Sequence, residues 1–343
     1  MAVTTALIGC GGRGVNAQGE WARQSSKLEL VAVCDLDDAR RNAASERLQA
    51  PGVRDFRELL ARPDLQSVLI ATNAGAHALL AAEAIKAGKH VFIEKPLADT
   101  AETSFALAEA AEKAGIVGMV GYQFRLSGFG QTFHRLAQEI EPLQGLFTVQ
   151  RGPMGPQYFS PEHYGGVVDT ATHTIHLALW SMGGSPESAF AQIGRGRLQG
   201  DQTIEQFALI VEFDGGRSAT LVSSMFGVQA GNTLQIIGRR GNMTTHDRRT
   251  IQVVRHEPIT KPGSSNGPEG LNIEQVETAG EGDATGAMLD HFADLVSGAS
   301  TEQLGTTLRE GAQAVAVTQA MAQAAERGCK VAISGSGAVR PAS

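Results

Sequence analysis

Over the first 121 residues, short apolar or β-branched runs at 5–8, 28–34, 67–71, 90–93 and 117–121 alternate with helically spaced apolar positions at 16–24, 38–49, 76–87 and 101–114. That alternation predicts βαβ units and a parallel sheet. Gly88 and Gly115 follow two of the helical stretches as C-cap signals. Beyond about residue 145 the rhythm changes to strands at 146–150, 205–213, 217–225, 233–237 and 251–255, with Asp214-Gly215-Gly216 as a hairpin turn. Phe207, Leu209, Val211 and Phe213 alternate with Gln206, Ala208, Ile210 and Glu212. This predicts an antiparallel sheet with one face on helices and another of mixed polarity that a second subunit can cover. A helix over 165–182 interrupts the second part, and helices over 284–297 and 304–327 close it before a strand at 330–333. Residues 262–270 are expected as an exposed loop and 335–342 as a frayed tail, and no internal repeat is present. The domains expected are 1–121 and 122–343.

Composition narrows the classes. Hydrophobic residues make up 42% and charged residues 19% of the 343, which excludes a mainly disordered chain. The 29 basic and 36 acidic residues give a net charge of -7, and no run of Lys or Arg exceeds two, which argues against nucleic acid as a partner. The stretch before the first strand lacks a basic segment and a signal-length apolar run, and no later segment approaches a membrane span. The expected compartment is the cytoplasm. Cys10, Cys34 and Cys329 are odd in number, form no Cys-x-x-Cys pair, and read as reduced, packed thiols.

Gly9-Cys10-Gly11-Gly12-Arg13-Gly14 fits G-x-G-x-x-G directly between the first strand and a helical pattern. The glycines allow a tight turn, backbone approach to a pyrophosphate and close helix–strand packing, and the helix N-terminus offers amide donors to the anion. With 41 glycines a chance match is expected, so the flanking elements give the motif its weight. Asp35 ends the second strand 21 residues after Gly14, where a carboxylate accepts the adenosine ribose hydroxyls; the alternative is a cap on the helix from Asp38. With Asp37 and Asp38 close behind, a 2′-phosphate meets like charge, which favours NAD over NADP.

Two further groups carry chemistry. Glu94-Lys95-Pro96 ends an apolar strand, where Lys95 points into the crevice over a cofactor unless it is an ordinary surface lysine; the Lys95–Pro96 bond is a candidate cis peptide. On the helix over 165–182, Asp169, His173 and His176 form one polar stripe. A histidine there can accept a proton with a carboxylate fixing its tautomer; a metal site and a satisfied core network are the rival readings. Tyr122, Tyr158 and Tyr164, with Gln123, Arg125 and His163 among them, suit a sugar ring or else cover the domain junction.

In order and spacing, these groups resemble the Gfo/Idh/MocA oxidoreductases along nearly the whole chain: the Gly9 to Gly14 turn, Asp35, Ala71-Thr72-Asn73 with His77, Ala87-Gly88-Lys89-His90-Val91 leading into Glu94-Lys95-Pro96, Arg125, and Gly165-Gly166 with Asp169 and His173. The resemblance implies a Rossmann domain followed by an α/β domain with an open antiparallel sheet, and a nicotinamide at their cleft. It implies a cofactor held by Gly9, Gly11, Gly12, Arg13, Gly14, Asp35, Thr72, Asn73, His77, Glu94 and Lys95, with Glu94 also steadying Lys95. It also implies that Lys95, Asp169 and His173 surround the reacting carbon, and Arg125, Tyr158, Tyr164 and His176 are expected to line the substrate. His176 stands where many relatives carry Asp, which leaves the sugar undefined.

The expected activity is NAD-dependent oxidation of a secondary hydroxyl of a sugar, sugar derivative or cyclitol, without a metal, in a homodimer or homotetramer. His173 takes the hydroxyl proton, Lys95 stabilises the alkoxide and Asp169 orients the imidazole or the substrate, with the Lys and His roles exchangeable. The alternatives are a redox-neutral enzyme that retains NAD and cleaves or transfers glycosides, and a non-catalytic NAD- or sugar-sensing protein. The few residues before the first strand favour a cofactor that exchanges each turnover.

Overall fold

The structure, a computed structural model, describes residues 2–152, 166–195, 204–227, 231–255, 271–280, 282–335 and 339–341, with the backbone alone for 166–170 and 339–341. The chain divides into two compact units, Met1–Leu126 with Asp283–Val315, and Ser127–Gly282 with Ala316–Ser343.

In the first unit the strands are β1 (Val3–Ile8), β2 (Leu28–Cys34), β3 (Gly52–Val53), β4 (Ser67–Ile70), β5 (His90–Ile93) and β6 (Gly118–Val120). They form a parallel sheet in the order β6-β5-β4-β1-β2-β3. Every residue of β4 is buried, as a strand covered on both faces requires. The main crossovers are α1 (Glu20–Gln24), α2 (Asp38–Leu48), α4 (Ala74–Lys86) and α5 (Ala101–Ala114), with a short α3 (Phe56–Leu60) after β3. Gly115 ends α5 in the left-handed region at φ 66°, as its place in the sequence predicts.

The chain returns to this unit late. On α8 (Ala284–Ser297), Met288, Leu289, Phe292 and Ala293 share one core with Leu7, Val33 and Leu69, and the Phe292 ring meets Phe92 edge-on at 5.9 Å. A short strand β15 (Thr306–Thr307) then adds antiparallel to β6. Sequence rhythm alone keeps 283–315 with the residues before it. The burial of the apolar face of α8 is what assigns it to the parallel sheet, at ~1.5–3 kcal/mol for a large side chain such as Phe292.

The second unit opens with α6 (Gly128–Glu139) and β7 (Pro142–Gln150), and α7 (Gly166–Met182) packs on the sheet that follows. Its other strands are β8 (Pro186–Arg195), β9 (Ile204–Phe213), β10 (Arg217–Ser224), β11 (Gly231–Gly238), β12 (Gly241–Thr245), β13 (Thr250–Arg255) and β14 (Asn272–Glu277). After α9 (Leu308–Arg327), β16 (Val331–Ile333) and β17 (Val339–Pro341) finish a ten-stranded sheet, β14-β13-β12-β11-β7-β10-β9-β8-β16-β17. Phe207, Leu209, Val211 and Phe213 are buried, and Gln206, Ala208 and Ile210 are exposed, as their alternation predicts.

Some expectations are corrected. The sheet is not wholly antiparallel, because β7 pairs parallel with β10; the chain passes through α7, β8 and β9 between them. The tail expected to fray carries β17, paired with β16. The last helix starts at Leu308, since Thr306 and Thr307 are taken by β15. Cys329 is exposed, whereas Cys10 and Cys34 are buried free thiols. The expected loop at 262–270 lies outside the described residues. Among the described residues no helix is long and apolar enough to cross a membrane.

Candidate functional site

The glycine-rich turn joins β1 to the first helix. Gly9 has φ +105°, and a Cβ on it would lie 2.6 Å from the Ala71 carbonyl carbon; a Cβ on Gly14 would lie 2.1 Å from the Gly9 oxygen. The chain's own packing therefore demands glycine at both positions. Gly11 is different, because a Cβ there meets nothing within 4 Å among the described residues. No internal contact requires glycine at 11, so its bare backbone, facing open space, fits a ligand's close approach and gives the pyrophosphate of a dinucleotide a cradle that a side chain would fill. Behind the turn the backbone makes a π-helical stretch over Gly14–Gly19 before α1, a geometry common at functional sites. It carries the Gln18 side chain, which is fully buried.

Asp35, half-buried at the end of β2, is pinned by backbone: its Oδ2 accepts the Cys10 N–H at 2.8 Å and its Oδ1 the Asp37 N–H at 2.9 Å. Each oxygen keeps a lone pair for a hydroxyl donor. The cap of α2 is Asp37, whose carboxylate accepts the Arg40 N–H at 2.9 Å, so Asp35 is not consumed by capping. Arg41 and Arg54 pair with Asp38 at 2.8 and 2.5 Å, and the Arg41 hydrogen bond first of all holds the Asp38 carboxyl below its ordinary range. Asp38 is thus largely compensated, and the discrimination against a 2′-phosphate falls mainly to Asp35. Burial, and then the charge of Asp35, push the thiols of Cys10 and Cys34 up to about 12, so both stay protonated and unreactive at neutral pH.

At the end of β5 the Glu94 carboxylate, 8% exposed, accepts from Arg13 Nε at 2.8 Å and from Gln18 Nε2 at 2.9 Å on the same oxygen. With its amide oxygen turned towards Arg13, Gln123 accepts from both Arg13 Nη atoms, at 3.1 and 2.7 Å, and from the Thr285 hydroxyl at 3.1 Å. The glycine-rich turn, β5 and the start of α8 are thereby tied through one guanidinium. Lys95 follows, half-buried, and the Lys95–Pro96 peptide is cis. Thr72 is half-buried and Asn73 exposed at the start of α4. His77 is buried, with Nδ1 2.7 Å from the Pro96 oxygen and Nε2 3.2 Å from the Thr72 oxygen; burial lowers its pKa against the pull of those two carbonyls.

Lys89 and His90 of the matching motifs make structural contacts. The Lys89 ammonium donates to the Arg62 and Leu65 carbonyls, both at 2.8 Å, and His90 Nδ1 accepts the Val117 N–H at 2.9 Å. Arg125 Nε donates to the Leu304 carbonyl at 2.8 Å and Nη2 pairs with Glu310 at 2.9 Å, a tie to the returning segment that its expected substrate contact did not include. Tyr122 is buried at 1% exposure. In the second unit α7 presents His173 half-buried and His176 buried, while the Asp169 side chain, Tyr158, His163 and Tyr164 lie outside the described residues. Gln18 and Thr285 were missed; the signal for Gln18 is a polar side chain on the inward stripe formed by Val15, Gln18, Gly19 and Ala22.

Residues 3–122 match the family model described as an oxidoreductase family with an NAD-binding Rossmann fold, and residues 139–244 match the GFO/IDH/MocA C-terminal domain. The chain is 33% identical over 185 residues to inositol 2-dehydrogenase/D-chiro-inositol 3-dehydrogenase of Shouchella clausii, covering 51% of this chain and 53% of that protein. It is 26% identical over 271 residues to scyllo-inositol 2-dehydrogenase (NAD(+)) of Bacillus subtilis, covering 75% and 76%. The chain spans about half the length of the curated inositol 2-dehydrogenases it matches. Levoglucosan dehydrogenase in complex with NADH and levoglucosan shares the fold at a TM-score of 0.80 and 20% identity, covering 97% of this chain and 99% of that one.

Proposed function

The chain belongs to the Gfo/Idh/MocA oxidoreductases, its first unit being their NAD-binding Rossmann fold, and on that premise we propose that it oxidises a secondary hydroxyl of a sugar, sugar derivative or cyclitol with NAD. The observation that carries this reading is the open cradle at Gly11 beside a backbone-pinned Asp35 carboxylate, a pair suited to pyrophosphate and ribose hydroxyls. Relatives that act on inositols support the substrate class.

When bound, the oxidised nicotinamide supplies the hydride acceptor. Gly11, Gly12 and Arg13 would border the cofactor's pyrophosphate, Asp35 would accept hydrogen bonds from its ribose hydroxyls, and Thr72 and Asn73 would complete its binding site. His173 takes the hydroxyl proton, Lys95 stabilises the alkoxide charge, and Asp169 orients the imidazole or the substrate. Lys95 and His173 can exchange these duties. Arg125, His176, Tyr158 and Tyr164 are assigned to the surroundings of the substrate. The working form is a homodimer or homotetramer joined through the open sheet face, in the cytoplasm.

The test is a panel of sugars and cyclitols with added NAD, read by absorbance of the reduced cofactor, together with quantification of nucleotide released on denaturing the purified protein. Reduced cofactor formed in step with oxidised product supports the proposal. Stoichiometric copurified NAD with product but no accumulating reduced cofactor overturns it in favour of a redox-neutral cycle.

A further inference from the structure

His77 sits in the first turns of α4, at 1% exposure, between two backbone segments at the carboxyl edge of the parallel sheet. A ring so enclosed is poorly placed to touch a ligand, and both of its nitrogens face carbonyl oxygens of the chain itself. A neutral imidazole has one N–H to give. The 2.7 Å approach of Nδ1 to the Pro96 oxygen is a full hydrogen bond, whereas the 3.2 Å separation of Nε2 from the Thr72 oxygen is the weaker contact.

We infer that His77 is a positioning residue: its Nδ1–H, donated to the Pro96 carbonyl, holds the segment carrying Lys95 against the first turns of α4. The bond acts one residue beyond Lys95, so it fixes where the lysine backbone lies without touching cofactor or substrate. This replaces the cofactor contact that the motif implies for His77. The functional consequence rests on the dehydrogenase reading of Lys95; the bond itself does not. A lysine that must stabilise charge at one carbon depends on placement within about 1 Å, and misplacement of that order costs up to ~10²-fold in rate.

The proposal predicts a split between turnover and cofactor affinity. His77→Asn puts an amide N–H about where Nδ1 stands, and His77→Gln puts one about where Nε2 stands. With the polyol that the panel identifies, His77→Asn keeps kcat within ~3-fold of wild type, while His77→Gln and His77→Ala lower it ~10- to 100-fold. All three bind NAD by calorimetry within ~3-fold of wild type, because no cofactor contact is lost. Nitrogen–proton correlation spectra of protein labelled with ¹⁵N-histidine, assigned through His77→Asn, show the Nδ1–H tautomer. An Nε2–H tautomer overturns the inference, as does a His77→Asn variant no better than His77→Gln. Weakened NAD binding with unchanged kcat at saturating NAD restores the contact role and overturns it too. A wild type that oxidises no polyol overturns the dehydrogenase reading alone, since the tautomer still decides the bond.

Discussion

Around the parallel sheet, polar side chains are satisfied within one chain: at its carboxyl edge Asp35 by two backbone amides and Glu94 by Arg13 and Gln18, and at its amino edge Lys89 by two carbonyls and His90 by the Val117 amide. The open face of the second sheet is built otherwise. Phe190, Ile210, Thr220 and Leu146 stand opposite one another across β8, β9, β10 and β7, and Leu146, Phe190, Ile210 and Val222 are 40–45% exposed. A row that is apolar at three of its four positions, with Val222 beside it, gains from being covered, whereas those edges gain nothing from a partner chain. On the proposed function, chemistry falls to the first region and association to the second.

The comparison breaks most readily at Lys95. Lys95→Ala is expected to lower turnover ~10²–10⁴-fold while the variant still folds and binds NAD, since the lysine is neither in the core nor part of the glycine turn. Turnover near the wild-type rate would remove Lys95 from the chemistry. The next largest effect falls on the sheet face. Ile210→Asp puts a carboxylate into the apolar row and is expected to weaken self-association ~30-fold or more, as loss of a central interface residue does. Light scattering reads it as a drop towards the 36.0 kDa protomer. A wild type already at that mass at micromolar concentration breaks the assignment of the face.

The two regions also differ in how much of them the sequence discloses. The Rossmann strands and the glycine turn are legible because their signals are local: apolar runs between glycines, and a spacing from Gly14 to Asp35 set by one crossover. Strand β8 went unread, although Ser188, Phe190 and Gln192 alternate with Ala189 and Ala191, because small and polar residues blur its period. The parallel pairing of β7 with β10 depends on which strands become neighbours in space, which no local window contains. The return of α8 is equally non-local, since its amphipathic pattern says that one face is buried without saying against what. Within the site, the role of Glu94 depends on Arg13, 81 residues away in sequence, and the cap of α2 falls to Asp37 rather than Asp35 through a backbone geometry that the residue types do not distinguish.

A third prediction sharpens the description of the edge as a binding surface. NAD is expected to bind more tightly than NADP, and Asp35→Ser to narrow the gap about tenfold, the effect of removing one charge worth ~1.4 kcal/mol. Dissociation constants for both cofactors in both proteins decide it. Tighter NADP binding by the wild type would reverse the assignment, and with Asp38 already compensated by Arg41 and Arg54, a persistent gap in the variant would point to Asp37, whose carboxylate caps α2.

The smallest effect tests whether the first unit depends on neutral imidazoles. His90 Nδ1 accepts the Val117 amide and His291 Nε2 accepts the Leu304 amide at 3.1 Å, and neither nitrogen can do so once protonated. Burial, the leading cause in both, lowers their pKa values in the folded protein below the ordinary value of about 6.5. The unfolded chain therefore binds these protons more readily than the folded one. Their contribution to stability is full above about 6.5 and is lost as the pH falls through the lower folded values. Thermal midpoints measured from about pH 7.5 down to 5.5 are expected to fall. His90→Asn, whose amide oxygen accepts the Val117 N–H without titrating, is expected to show a shallower fall over the same range. Ile210→Asp serves as the control, because a substitution on the open sheet face leaves the two histidines as they are, and its midpoint at low protein concentration should follow the wild-type protomer's slope. If His90→Asn keeps the full wild-type slope, the acid sensitivity lies elsewhere and the imidazole at the start of β5 is a spacer, not an acceptor on which the parallel sheet depends.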